Sequence, residues 1–285
     1  MTSSTLEHPA PGTPRRVLDF ATVLLARNPN AMTLDGTNTW LVGAPESDER
    51  IVIDPGPSER EHLRTLREQA RITGVLLTHH HPDHTEGVAE FVELTGAPVR
   101  ALDPELCVDG TARTPGFGSG PLREGETVDA AGVRLRVMAT PGHTADSLCL
   151  HTEHDGVAAL FSGDSILGRG TTVVTAEDGD LGSYLESLRR LTELAGSTWL
   201  LPGHGPEQPD ARQAAATYLD HRRQRLEQVR AALRKLGGTG EPGEVVDPGE
   251  VVDIVYADVD PAVRPAAEST VRAQLNHLRE LGELG

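Results

Sequence analysis

Lysine is all but absent: Lys235 is the only one in 285 residues. A side-chain cation that recognises phosphate or carboxylate must therefore be arginine, unless metal takes its place. Cysteine is almost as scarce. Cys107 and Cys149 form no CxxC pair and cannot build a disulfide framework, which fits a reducing, cytoplasmic setting. Aromatic residues amount to 3%, too few for a track of base-stacking platforms. No stretch approaches the roughly 18 consecutive apolar residues of a membrane span, so a membrane protein is excluded. Positive side chains are outnumbered 26 to 43, and the formal charge of −17 repels polyanions wherever no local basic patch offsets it.

What is present is a globular balance, 37% hydrophobic and 24% charged, at a length that suits one large α/β domain with a small appendage. Residues 1–16 place their arginines after a polar Pro/Ser/Thr stretch, unlike a secretory signal, and read as a disordered leader. Short β-branched runs bounded by turn residues predict strands at 17–25, 39–42, 50–53 and 74–77, and again at 99–102, 127–128, 133–138, 147–151, 157–161 and 199–201. Helical spacing predicts helices at 58–70, with Ser58 as N-cap, and at 85–94, 179–194 and 210–236. Pro82 predicts loop over 79–84. Residues 103–120, rich in Pro and Gly, predict an irregular flap. Gly237-Gly238 ends the main domain, 17–237; a linker follows at 238–249, then a small helical module at 250–285. The basic run His221-Arg222-Arg223-Gln224-Arg225, with Arg230, Arg234 and Lys235 beyond it, reads as a solvated helix face partly neutralised by Glu227.

Chemistry concentrates in Thr78-His79-His80-His81-Pro82-Asp83-His84, between a predicted strand and a predicted helix. On an extended loop alternate side chains share a side, so His79 and His81 can converge on one cation while Asp83 and His84 turn towards a second. His80, between them, points away. Three further candidate ligands stand at strand ends beside glycine: His143, Asp164 and His204. Asp54, before a Pro-Gly turn, either orients the ligand loop through hydrogen bonds or touches substrate. Tyr184 and His221 are weaker candidates to lean over the site.

These motifs, in this order, resemble the metallo-β-lactamase superfamily over residues 17–237. The resemblance implies a four-layer αβ/βα sandwich. It assigns His79, His81 and His143 to one zinc and Asp83, His84 and His204 to another, with Asp164 bridging, so two zinc ions per chain. Histidine at 81, where the superfamily's diiron flavoproteins carry glutamate, favours zinc over iron. Aspartate at 164, where one class of true β-lactamases has cysteine, argues against antibiotic hydrolysis. The short interval from His143 to His204 leaves no room for the large insertion of the nucleic-acid-processing branch. Asn28-Pro29-Asn30, Gly36-Thr37-Asn38-Thr39-Trp40, Pro202-Gly203-His204-Gly205-Pro206 and Tyr218-Leu219-Asp220-His221-Arg222 resemble the beta-lactamase-like protein 2 group. So does the tail, as a truncated winged-helix-like domain suited to packing or to homodimer formation.

The implied activity is hydrolysis by a hydroxide shared between two metal ions about 3.5–4 Å apart, with Asp83 as catalytic as well as ligating residue. Two substrate classes follow. An acyl thioester or activated ester needs little help in expelling its leaving group, since a thiol has a pKa near about 8.5. Single-stranded RNA is the alternative that the beta-lactamase-like protein 2 resemblance implies. A purely structural metal site would be four-coordinate and cysteine-rich, which this set is not.

Overall fold

The computed structural model describes residues 8–111, 115–237, 246–258 and 263–284. Eleven strands among them form two sheets. The first contains β1 (Arg15–Leu18), β2 (Ala21–Leu25), β3 (Asn38–Val42), β4 (Glu49–Ile53), β5 (Arg71–Leu76) and β6 (Val99–Arg100), in that spatial order. The second runs β11 (Trp199–Pro202), β10 (Val157–Gly163), β9 (Leu148–His154), β8 (Val133–Ala139), β7 (Thr127–Ala130). Pairing is antiparallel except at β4/β5, β5/β6 and β10/β11.

Period-two patterning explains the layers. On β3 Trp40 and Val42 face the second sheet and share one apolar cluster with Leu135 and Val137 of β8; Leu41 faces outward. Likewise Ile51 and Ile53 point in while Val52 points out. The outward side of the first sheet is covered by α1 (Arg60–Gln69) and α3 (Val88–Thr95), through Leu63, Leu66 and Phe91. The outward side of the second is covered by α4 (Leu181–Leu191) and α5 (Ala211–Leu236). The result is the expected four-layer sandwich. Two C-terminal helices, α6 (Pro248–Val255) and α7 (Arg264–Glu280), pack Val251, Val252, Val271 and Leu278 into the same apolar cluster as α4 and α5.

Several expectations need correction. The single strand at 17–25 is two, β1 and β2, joined through Asp19 and Phe20. The expected disordered leader, 1–16, is tied down over its second half: His8 bonds Asp35 and Asn38, and Arg15 in β1 forms a two-pronged ion pair with buried Glu207. Residues 1–7 of that leader, and 238–245 of the expected linker, lie outside the described residues. Within 79–84, expected as loop, a one-turn helix α2 (Pro82–Thr85) begins at Pro82. Proline is tolerated in a first turn, where its missing N–H has no helical partner to lose. Ser58 does not cap α1; Glu59 holds that position, with no side-chain capping bond.

Candidate metal centre

The carboxyl ends of four strands meet at one edge of the sandwich. Asp54 follows β4, the histidine run follows β5, Asp164 follows β10, and His204 follows β11. His143 stands in the turn after β8. Backbone bonds lock that edge: Asn38 N–H donates to Gly203 O (2.8 Å), Gly203 N–H to Gly163 O (2.9 Å) and Leu148 N–H to Thr78 O (2.9 Å). Glycine is required at 142, where φ is +137° and a Cβ would lie 2.3 Å from the Tyr184 Cα.

All seven residues expected as ligands come together. His79 Nε2 and His143 Nε2 each lie 3.1 Å from His81 Nδ1. Opposite them, His204 Nε2 is 3.2 Å from His84 Nε2 and 3.1 Å from Asp83 Oδ2. Asp164 stands between the triads, 3.8 Å from His143 Nε2 on one side and 3.3 Å from His204 Nε2 and 3.4 Å from His84 Nε2 on the other. Its Oδ1 is buried and has no hydrogen-bond partner. An orphaned carboxylate oxygen among imidazole nitrogens that face one another is costly unless a cation fills the space. The donor set therefore fits divalent cations: two groups, His79/His81/His143 and Asp83/His84/His204, each with ligand atoms within 4.8 Å of one another.

The opposite ring nitrogens are occupied, which fixes the tautomers. Asp54, with φ of +54°, accepts from Thr78 N–H (2.8 Å), Thr78 Oγ1 (2.7 Å) and His84 Nδ1 (2.9 Å). Thr78 Oγ1, having donated to Asp54, accepts from His79 Nδ1 at 3.0 Å. His143 Nδ1 donates to Val173 O (2.8 Å) and His204 Nδ1 to Gly36 O (3.0 Å). His81 Nε2 meets Asp178 at 2.7 Å. Each ring thus turns its other nitrogen inward, the arrangement that metal-binding histidines need once any proton there is displaced.

Electrostatics separate the two groups. Burial, reinforced by the neighbouring histidines His84, His143 and His81, holds the His79 pKa well below the imidazole range. Burial also opposes charge on His84 and His204, but Asp164 with Asp54 or Asp83 outweighs it and raises both, His204 to about 9. Asp83, although burial works against its ionisation, is drawn down to about 2 by His204 and His84. Metal entering the second group must displace protons from His84 and His204.

Sequence reasoning misses Asp178 and Asp146. Asp178 stands 97 positions from His81 and offers no local signal. Asp146, which bonds His80 Nδ1 at 2.8 Å, lies in the turn that carries His143, and that proximity is the one clue the sequence holds. His80 belongs to neither triad, but it does not point clear of the centre: its Nε2 lies 3.3 Å from Asp178, which also bonds His81, and His80, His81 and Asp178 form a further group of possible ligands. Tyr184 does not lean over the centre: it is fully buried behind it and donates to Ser165 O at 2.7 Å. Among the described residues of the expected flap, none lines the cavity beside the ligands. The flap's Phe117 is buried between the sheets, and the cavity beside the ligands is formed by residues 30–34 and 167–173.

The chain matches the Metallo-beta-lactamase superfamily model over residues 32–204 and the Beta-lactamase associated winged helix domain model over 248–283. It is 33% identical to the beta-lactamase-like protein 2 homolog of Drosophila melanogaster, over 92% of this chain and 88% of that one. With the atrochrysone carboxyl ACP thioesterase AacuM of Aspergillus aculeatus it shares 31% identity, over 92% and 80%. A solved beta-lactamase domain protein from Burkholderia ambifaria superposes with a TM-score of 0.79 at 25% identity, over 99% of this chain and 92% of that one. The fold, the converging histidines and aspartates, and these matches agree: the chain belongs to the metallo-β-lactamase superfamily of metal-dependent hydrolases.

Proposed function

We propose that the chain hydrolyses an acyl thioester or activated ester with two zinc ions bound, His79, His81 and His143 holding one, Asp83, His84 and His204 the other, and Asp164 both. Imidazole and carboxylate donors without cysteine suit zinc. Bound divalent metal supplies Lewis acidity towards a carbonyl oxygen and a water of lowered pKa. Asp83 does the rest of the local work: it is ionised, borders the cavity, and its Oδ2 can accept a hydrogen bond from the attacking water. Thr37 Oγ1, 3.4 Å away, steadies that carboxylate.

The observation that carries this reading is the lining of the cavity beside the ligands. It measures about 350 Å³, room for an acyl group, and apart from the ligands its described walls are Asn30, Ala31, Met32, Thr33, Leu34 and Pro82 on one side. Leu167, Arg169 and Thr171 to Val173 form the other. Among these described residues there is no lysine or tyrosine to protonate a poor leaving group. A thiolate leaves without that help. The likeness to a fungal ACP thioesterase over 92% of the chain points the same way, to a carrier-bound acyl thioester. Single-stranded RNA is less well served. Tyr256, the one Phe, Tyr or Trp ring on the neighbouring cavity wall among the described residues, already carries Arg225 over its face at 4.9 Å. Free thiols at Cys107 and Cys149 accord with action in the reducing cytoplasm.

The test is a panel of acyl thioesters beside an end-labelled single-stranded RNA, with zinc-loaded protein. Thioester turnover is expected, with Asp83→Ala reducing it by a factor of about 10² to 10⁴. RNA cleavage that Asp83→Ala abolishes, with no thioester turnover, would replace this reading with the phosphodiesterase one.

A further inference from the structure

The cleft continues beyond the metal ligands. Met32 on one side and Thr171 to Val173 on the other border both the cavity just described and a second one of about 300 Å³. The far wall of this second cavity is built by α5, by Tyr256 at the end of α6, and by the first turns of α7. Its polar side chains include His221, Arg222 and Arg225, and no carboxylate is found among the described residues that line it. In a chain of net charge −17, two guanidinium groups around one cavity with no acid among its described lining are unexpected; His221 beside them favours its neutral form, because burial and the charges of Arg222 and Arg225 lower its pKa.

Their hydrogen bonding is incomplete. Arg222 is 5% exposed; its guanidinium donates to Thr172 O and lies 5.4 Å from the centre of the Tyr184 ring, yet its buried Nε has no partner. His221 Nδ1 is likewise buried and unpartnered. Arg225, besides stacking on Tyr256, donates Nη1 to Val255 O (3.1 Å) and Gln228 Oε1 (3.0 Å). Neither arginine is within ion-pair distance of a carboxylate among the described residues. The N-terminus of α7 adds to the positive field, since Val263 at its N-cap gives no side-chain acceptor to the free N–H groups of the first turn. A buried guanidinium without counter-charge is a costly arrangement, and an anion entering from the cleft would relieve it.

We propose that this second cavity is an anion subsite, which binds a carboxylate or phosphate group of the substrate one cavity away from the reacting bond. Arg225 and His221 are its specificity-determining residues, and Arg222 is its buried floor. The inference deepens the thioester reading and rests on it for the identity of the substrate. Met32 and Thr171 to Val173 form the threshold that the substrate crosses between reacting bond and charged group.

Three thioesters of matched length test it: one neutral at both ends, one with a carboxylate at the end of the acyl chain, and one with a phosphate on the thiol side. With zinc-loaded wild type, kcat/KM for one anionic substrate is expected to exceed that for the neutral one by at least about tenfold, the worth of one charge-assisted contact. Which anion gains identifies the side on which the charge lies. Arg225→Ala should collapse that ratio to near one through KM, and His221→Gln should lower it without disturbing the Tyr256 stack. Equal losses on all three substrates, or an unchanged ratio, would overturn the proposal. Calorimetric binding of the matching non-hydrolysable thioethers keeps the two readings apart. Preference for an anionic thioether that Arg225→Ala removes, with no thioester turned over, rejects the thioester reading and keeps the anion subsite. Turnover with equal affinity for charged and neutral thioethers does the reverse.

Discussion

Asp54 orients both ligand groups without belonging to either. It holds His84 directly and His79 through Thr78, so one carboxylate sets the tautomers on both sides of Asp164. Its φ of +54° is a conformation that asparagine also tolerates, so Asp54→Asn keeps the backbone while presenting an amide N–H₂ to donors that need an acceptor. Affinity for zinc, the proposed metal, is expected to fall about 10- to 100-fold, read by competition with a chromogenic chelator. Unchanged affinity would mean that the rings are held by packing alone. His62 makes a different kind of prediction. It is buried behind the same loop, bonded to Thr39 Oγ1 at 2.9 Å, and burial pushes its pKa down to about 4. Above about pH 6.5 the ring is neutral in folded and unfolded chains alike, and its stabilising contribution is complete. As pH falls the unfolded chain takes up the proton first, so stability drains away between about pH 6.5 and 4 by on the order of 3 kcal/mol, then levels off. Urea midpoints measured across that window should fall more steeply for wild type than for His62→Gln; parallel profiles would remove His62 as the cause.

Turns rather than strands decide the precision of the centre, and Gly142 shows how. Alanine there would need φ of +137° and would set its Cβ 2.3 Å from the Tyr184 Cα, a backbone atom that cannot swing aside. The His143 turn and α4 would have to separate. Gly142→Ala should therefore destabilise by more than about 1 kcal/mol and weaken zinc binding at His143 together, as denaturation and metal titration would report. Loss of neither would show that the turn has slack. The same local logic explains what can be read from sequence. Alternation on an extended segment separates His79 and His81 from His80, and glycine beside His143, Asp164 and His204 marks strand ends, so the cluster of candidate ligands is legible from near neighbours in the chain, while its division between two ions comes only from the family resemblance. What depends on distant neighbours is not. Asp178 reaches His81 only after the chain has passed through most of the second sheet, and Arg15 becomes a strand residue whose charge is answered by Glu207, far along the sequence. The turn at Asp19 and Phe20 has only Asp19 to announce it, with no glycine or proline beside it. Phe117 belongs to the core because Gly74 leaves space for its ring: a Cβ at 74 would lie 2.3 Å from it.

At the scale of the molecule, the C-terminal helices are part of the hydrolase rather than cargo attached to it. Val251, Val252, Val271, Leu275 and Leu278 share one apolar cluster with Leu188 of α4 and Leu226, Val229 and Leu233 of α5. Polar ties cross the same boundary: Ser269 Oγ accepts from Ala176 N–H at 3.1 Å and donates to Glu177, Arg272 pairs with Glu177 at 2.9 Å, and Arg230 pairs with Glu283 at 2.6 Å. A small domain with its own core would leave α5 covered when removed; here removal uncovers it. Ending the chain after Gly237 exposes several large side chains on α4 and α5, a loss on the order of 5 kcal/mol at typical burial energies. That is a large share of the stability of an ordinary domain. The expected result is a melting temperature lower by about 10–20 °C, with increased binding of a hydrophobic dye. Metal stoichiometry should be unchanged at temperatures where the shortened chain remains folded, because every proposed ligand lies between His79 and His204. An unchanged melting curve would instead make α6 and α7 an independent unit, and the wall they contribute to the second cavity an accident of docking.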